Sequence, residues 1–99
     1  MGLDITIKRI RYKHFVETDT IEDVYKNTNS KFVAEFRNIW DWVNKFYPKD
    51  KEDENGRFYR FVTKSMVKEL IEGNETERLK TIVNEFDFDK FIYTVEFDY

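Results

Sequence analysis

The residue best suited to proton transfer in this sequence is His14, the one histidine among 99 residues. Catalysis by a histidine needs a nucleophile, a carboxylate or an oxyanion-binding loop held beside it. No nucleophile motif or Gly-rich segment accompanies His14, and the chain has no cysteine that could share a zinc ion with it. The sequence therefore predicts a non-catalytic protein without metal or cofactor, in which His14 is structural or lies at the surface. An enzyme built on His14 and neighbouring carboxylates is the catalytic alternative.

The acidic loop at residues 50–56 has the composition of a calcium-binding loop. Aligning Gly56 with the invariant glycine of an EF-hand places Asp53 at the third ligand position. Lys51 and Val62 then occupy the first and twelfth positions, where the motif requires Asp and a bidentate Glu. The pattern predicts a solvated acidic loop and no metal site.

Carboxylates and large aromatic residues alternate through the C-terminal segment EFDFDKFIYTVEFDY, residues 85–99. Carboxylates spaced on a rigid sheet can imitate a phosphate backbone and occupy a basic surface of another protein. Trp42 lies at the margin of the apolar face of a predicted helix and would suit an interface anchor, although residues 11–27 could equally cover it. The predicted partner-binding residues are Trp42, Asp87, Asp89, Glu96, Asp98 and Tyr99.

Basic residues on two predicted strands define a second hypothesis, a small nucleic-acid-binding module. Phe58 and Tyr59 lie between Arg57 and Arg60, and aromatic side chains beside basic ones can stack on bases. The formal net charge of −3 argues against phosphate-backbone binding as the main activity, so nucleic acid is not the first expectation. The module would use Lys8, Arg9, Arg11, Lys13, Arg57 and Arg60.

The element expected to position these residues is a long amphipathic helix at residues 31–47, KFVAEFRNIWDWVNKFY. Its apolar residues recur at three- and four-residue steps, which places them on one helix face. Pro48 prevents the helix from continuing. The residues of this face are Phe32, Phe36, Ile39, Val43 and Phe46.

Three strands are predicted at residues 3–7, 57–62 and 91–99, the last with the clearest alternation of polar and apolar residues. Thr63 is a predicted N-cap for a helix at 64–72, and a further helix follows Gly73. These two helices have helix-turn-helix spacing, but the second is acidic, which favours an αα-hairpin. The predicted fold is one α+β domain, 1–99. It has a small antiparallel or mixed sheet of about three strands, packed on the long helix, plus the C-terminal αα-hairpin.

The N-terminus lacks an apolar stretch of signal-peptide length, and no window has the length of a membrane span. The absence of cysteine favours a reducing compartment. We therefore expect a cytoplasmic protein that makes no contact with membranes. The oligomeric state is not specified, and edge strands would permit a homodimer.

Four short stretches carry a resemblance: MGLD at residues 1–4, IWDW at 39–42, FYRFVT at 58–63 and VKELI at 67–71. They resemble motifs of a group of small uncharacterised proteins common in bacteriophages and their hosts. Trp40 stands where that group often has histidine, and Ala34 and Arg37 stand where it has arginine and asparagine. A polar site at those positions is therefore not expected. The resemblance implies a phage or bacterial setting and no particular reaction.

The sequence as a whole predicts a small protein-binding factor of phage origin in the cytoplasm of a bacterial host. Its expected action is inhibition or modulation of a host nucleic-acid-processing or defence protein that has a basic surface. The expected mechanism is occlusion of that surface by the acidic–aromatic segment. The nucleic-acid-binding module is the alternative.

Overall fold

The computed structural model describes residues 3–37, 42, 45–46, 56–73 and 77–98, without the side chains of 72–73 and 77–79. Within these residues, four antiparallel strands form one sheet in the order β2-β1-β4-β3, and three short helices accompany it. In chain order the elements are β1 (Asp4–Arg11), α1 (Ile21–Lys26), β2 (Lys31–Arg37), β3 (Arg57–Phe61), α2 (Lys64–Gly73), α3 (Glu77–Asn84) and β4 (Phe91–Asp98). A 3-10 turn, Tyr12–His14, follows β1 directly.

The centre of the sheet is the pair β1–β4, which runs in unbroken register from Asp4 opposite Asp98 to Arg11 opposite Phe91. Side chains that lie opposite each other in this register share a face of the sheet. Ile5 and Ile7 therefore lie on the same face as Phe97 and Val95, and all four are at most 1% exposed. This apolar face is the floor of the main core.

Helix α2 covers that face with Met66 and Leu70, which are almost completely buried. Thr63 caps the helix, because its Oγ1 accepts a hydrogen bond from the backbone N–H of Met66 at 3.2 Å. Trp42 packs in the same core, with its ring centroid 5.8 Å from that of Phe97. Each fully buried apolar side chain of this size contributes roughly 1.5–3 kcal/mol of transfer free energy. Burial of these side chains therefore holds α2 and Trp42 against this face of the sheet.

The opposite face of the sheet is covered by α1. Thr20 caps this helix by accepting a hydrogen bond from the backbone N–H of Asp23 at 3.2 Å, and Val24 and Tyr25 are its buried residues. The Tyr25 ring contacts that of Tyr59 on β3, with 5.2 Å between centroids. Both faces of the sheet are thus occupied, by α2 and Trp42 on one side and by α1 on the other.

The predicted architecture of about three strands on one long helix is wrong. Residues Lys31–Arg37, the first part of the predicted helix, form strand β2 at the edge of a four-stranded sheet. The helices of the described chain have 6, 10 and 8 residues, so none is long. Within the remainder of the predicted helix, Trp42 and residues 45–46 have helical backbone, and the others lie outside the described residues.

The error has a physical cause in the spacing of apolar residues. The four-residue step between Phe32 and Phe36 is that of one helix face, whereas in β2 the bulge at Val33 places these two side chains on opposite faces of the sheet. Strand pairing decides between helix and strand, because Phe36 lies opposite Ile5 and Ala34 opposite Ile7. These contacts join segments about 30 residues apart in the chain, so local periodicity could not reveal them.

No described helix is long and apolar enough to cross a membrane.

Candidate anion-binding site

A concave pocket of about 310 Å³ lies where the C-terminal end of β1 meets the starts of β2 and β4. We call it the basic pocket. Its lining comes from β1, the 3-10 turn, the segment after α1, β2 and β4, so five parts of the chain contribute to it. The lining residues are Arg9, Arg11, His14, Asn29, Lys31 and Phe91.

Arg9 and Arg11 are two residues apart on β1, and strand alternation therefore puts both side chains on one face. Phe91 lies opposite Arg11 in the β1–β4 register. The guanidinium carbons of Arg9 and Arg11 lie 4.3 and 5.5 Å from the centre of the Phe91 ring. Stacking on an aromatic ring uses the flat face of a guanidinium, so its N–H edges can still donate hydrogen bonds to a ligand.

Lys31 reaches the pocket because β2 contains a bulge. The pairing of β2 with β1 shifts by one residue between Ile7 and Lys8, which leaves Val33 without an opposite residue. A one-residue shift moves all following side chains to the other face of a sheet. Lys31 consequently lies opposite Arg9 and shares its face. The bulge adds a third cation to the arginine pair.

His14 and Asn29 are held by hydrogen-bonded turns. The Tyr12 hydroxyl donates to the carbonyl oxygen of Phe88 at 2.6 Å, which ties the 3-10 turn to the segment before β4. The backbone N–H of Asn29 donates to the side-chain oxygen of Asn27 at 2.8 Å, an Asx turn that leads into β2. Both side chains add hydrogen-bonding groups to a pocket with two guanidinium groups and one ammonium group.

Among the described residues that line the basic pocket, none has a carboxylate. The ion pairs found among the described residues engage Lys26, Arg37, Lys45, Arg57 and Lys90, and none involves a cation of the pocket. Three permanent positive charges therefore converge on one small space. The matching ligand is an anion, and arginine matches the planar geometry of carboxylate and phosphate oxygens.

The structure divides the six basic residues of the nucleic-acid hypothesis. Arg9 and Arg11 meet in the basic pocket, and Lys13 is exposed on the adjoining turn. Lys8 lies on the opposite face, where its ammonium group donates to the Tyr25 carbonyl at 3.4 Å.

The two arginines of β3 are engaged elsewhere. Arg57 forms an ion pair with Asp98 at 3.5 Å, and Arg60 donates to the carbonyl of Phe46 at 2.9 Å. The pocket also contains residues that the hypothesis did not include. Lys31, Asn29 and Phe91 belong to it, and so does His14, which the sequence assigned to structure or surface. The sequence would have indicated a role for Lys31 in the pocket only if residues 31–37 had been predicted as a strand that begins at Lys31.

The predicted acidic–aromatic surface is divided between two ends of β4. Asp87 and Asp89 lie in the turn before the strand, where Asp87 Oδ1 accepts a hydrogen bond from the backbone N–H of Asp89 at 3.1 Å. Glu96 and Asp98 lie near the other end of this eight-residue strand. At about 3.4 Å per residue, Phe91 at the start of β4 is roughly 17 Å from Glu96 and roughly 24 Å from Asp98. The structure therefore does not bring the four carboxylates together.

Trp42, the predicted aromatic anchor, is 3% exposed. Its indole Nε1 donates to the backbone carbonyl of Met66 at 2.7 Å, so both the ring and its polar atom have partners inside the protein. The side chain belongs to the core and is not available as a surface anchor. Tyr99 lies outside the described residues, and so do residues 50–55 of the acidic loop. No group of potential metal ligands occurs in the described part of the chain.

A second polar cluster lies on the sheet face under α1. Burial raises the pKa of Tyr25 to about 12, and the nearby Glu96 carboxylate acts in the same direction. Burial also raises the pKa of Tyr59, again with a contribution from Glu96. The ammonium group of Lys8 lies 4.5 Å from the centre of the Tyr25 ring. Helix α1 covers these side chains, so the raised tyrosine pKa values affect the stability of the fold.

The tyrosine pKa shifts predict a loss of stability in alkali. Above about pH 10 the unfolded chain releases tyrosine protons that the folded chain retains, so the free energy of unfolding falls as pH rises. Denaturant unfolding at several pH values between about 10 and 12 should show this fall, and a Tyr25→Phe variant should show a smaller one. An identical pH dependence in the variant would contradict the assignment to Tyr25.

Comparison of the chain with protein-family models, curated proteins and solved structures gives no match.

Proposed function

We propose that this domain binds single-stranded nucleic acid through the basic pocket. The observation that supports the proposal is the convergence of Arg9, Arg11 and Lys31 on one concave space, whose described lining residues include no carboxylate. Phosphate groups are the anions that such a set binds best, because guanidinium groups donate paired hydrogen bonds to their oxygens. The net charge of −3 does not oppose this reading, since the field at a concave site depends on the charges lining it.

A single strand suits this site better than a duplex. Five parts of the chain line a cavity of about 310 Å³, which is the scale of a small-molecule site. Sequence-reading of duplex DNA requires a helix or a two-stranded ribbon that enters a groove. The pocket provides neither, whereas a flexible strand can place one phosphate in a concavity.

The proposal predicts a weak salt dependence. With one phosphate of a single strand in the pocket, the slope of log K against log salt should be roughly −0.7. Raising salt from about 50 mM to about 200 mM should then weaken binding roughly threefold. Fluorescence anisotropy with a labelled oligonucleotide measures this. Absence of binding at the lower salt concentration would refute the proposed function.

Occlusion of a host protein through the acidic–aromatic segment stays a prediction from sequence. Trp42 is buried and the acidic residues lie at both ends of β4, so no described contact groups them into one surface. The phage and bacterial setting likewise rests on the sequence resemblance alone.

A further inference from the structure

The three cations of the basic pocket line one concavity of about 310 Å³. Arg9 and Lys31 lie opposite each other on neighbouring strands, and Arg11 is the next residue on the same face of β1. Proteins that follow a nucleic-acid backbone space their basic residues along a groove, so that each meets a different phosphate. Here the three charges would meet the same phosphate group.

The pocket has three positive charges, whereas an internal phosphate of a strand has one negative charge. A phosphodiester carries a single negative charge, whereas a phosphomonoester carries about −1.5 to −2 at pH 7 and offers three acceptor oxygens. Two guanidinium groups and one ammonium group complement the monoester better, and no described residue of the lining adds a carboxylate. His14 and Asn29 supply further hydrogen-bonding groups for its oxygens.

The aromatic residue of the pocket supports phosphate binding more than base stacking. Both guanidinium groups lie close to the Phe91 ring, at 4.3 and 5.5 Å from its centre. A base would have to displace them to stack on the ring surface that they cover. The ring instead orients the two arginines, and the pocket then reads a phosphate irrespective of the base attached to it.

We infer that the basic pocket is a phosphomonoester site that receives the terminal phosphate of a nucleic-acid strand. The inference rests on the proposed function. It narrows the ligand from a nucleic-acid strand in general to the phosphorylated end of a strand. It follows from the convergence of Arg9, Arg11 and Lys31 and from the position of both guanidinium groups over the Phe91 ring. The described lining residues also include no carboxylate. Binding should therefore depend on the phosphorylation state of the end and little on sequence.

The test compares single-stranded oligonucleotides of one sequence that carry a 5′-phosphate, a 3′-phosphate or hydroxyl groups at both ends. We expect one phosphorylated end to raise affinity about tenfold, since the added charge lies within a few Å of three cations. Lys31→Gln should remove this preference, because it removes one of the three cations of the pocket. Lys31 is exposed, so its replacement leaves the core intact. Lys68→Gln, an equal change of charge at an exposed position on α2, should retain it.

Four results would overturn the inference. Equal affinity for phosphorylated and hydroxyl ends would do so and leave the proposed function standing, provided that the strands bind. A preference that survives in both Lys31→Gln and Arg11→Gln would place the recognition elsewhere. Adenosine monophosphate that binds as tightly as the phosphorylated strand would identify a free nucleotide as the ligand. Failure of every strand to bind at low salt would refute the proposed function as well.

Discussion

Replacing Arg11 and Lys31 together by glutamine is expected to weaken binding of a single-stranded oligonucleotide by about 50-fold at low salt. Each charged hydrogen bond to phosphate contributes on the order of 1–1.5 kcal/mol at a partly solvated site, and about 1.4 kcal/mol corresponds to a factor of ten. Both side chains are exposed, and neither forms an ion pair within the described residues. The fold should therefore be unaffected. Anisotropy titrations measure the loss.

The matched control replaces Lys68 and Lys80, two exposed lysines on α2 and α3, by glutamine. The change in net charge is the same, but these lysines do not line the basic pocket. We expect the control to lose less than about threefold, because distant exposed charges are largely screened by salt. Similar losses in the two double variants would show that net charge and not the pocket determines binding. Circular dichroism would verify that both variants are folded.

The contrast between net charge and local charge explains why the sequence favoured a different function. The total of −3 suggests a protein that avoids phosphate. The register of the sheet gathers cations from β1 and β2 into one pocket, while Glu96 and Asp98 lie on the opposite face, near Tyr25 and Arg57. A sum over the chain cannot represent this separation, since it arises from strand pairing.

Elements whose pattern is local could be predicted from the sequence. The alternation of β4 spans eight residues, and one periodicity accounts for it. Helix α2 begins after Thr63, whose hydroxyl accepts the hydrogen bond that the cap requires. Gly56 precedes β3 with φ 72°, a conformation that favours glycine, and the dipeptide Asn55-Gly56 is typical of turns. These features depend on residues that are near one another in the chain.

The candidate site depends on contacts that are distant in the chain. Arg9 and Arg11 are two of the six basic residues in the nucleic-acid hypothesis, but their neighbours Lys31 and Phe91 come from β2 and β4. Lys31 shares their face because of the bulge at Val33, and Phe91 because of the β1–β4 register. Neither strand register can be deduced from periodicity. The helix predicted at residues 31–47 is also incompatible with any pairing between β1 and β2.

The strand assignment of β2 makes a prediction that a helix would reverse. Ala34→Asp is expected to lower the free energy of unfolding by about 3 kcal/mol or more, because it buries an unpaired carboxylate in the core. Ala34 is 3% exposed and lies opposite Ile7, which is 1% exposed. In a helix Ala34 would lie about 200° around the axis from Phe32, on the solvent side, and aspartate there would have little effect. Urea unfolding followed by Trp fluorescence measures the change.

Phe32→Asp is the matched control within the same strand. Phe32 is 63% exposed, so its replacement should cost less than about 1 kcal/mol. Both variants place aspartate in β2, and the poor β-propensity of aspartate therefore affects them alike. The difference between them isolates burial. A larger loss for Phe32→Asp than for Ala34→Asp would indicate that residues 31–37 form a helix with Phe32 on its core face. In that case Lys31 would not lie opposite Arg9, and the basic pocket would lose its third cation.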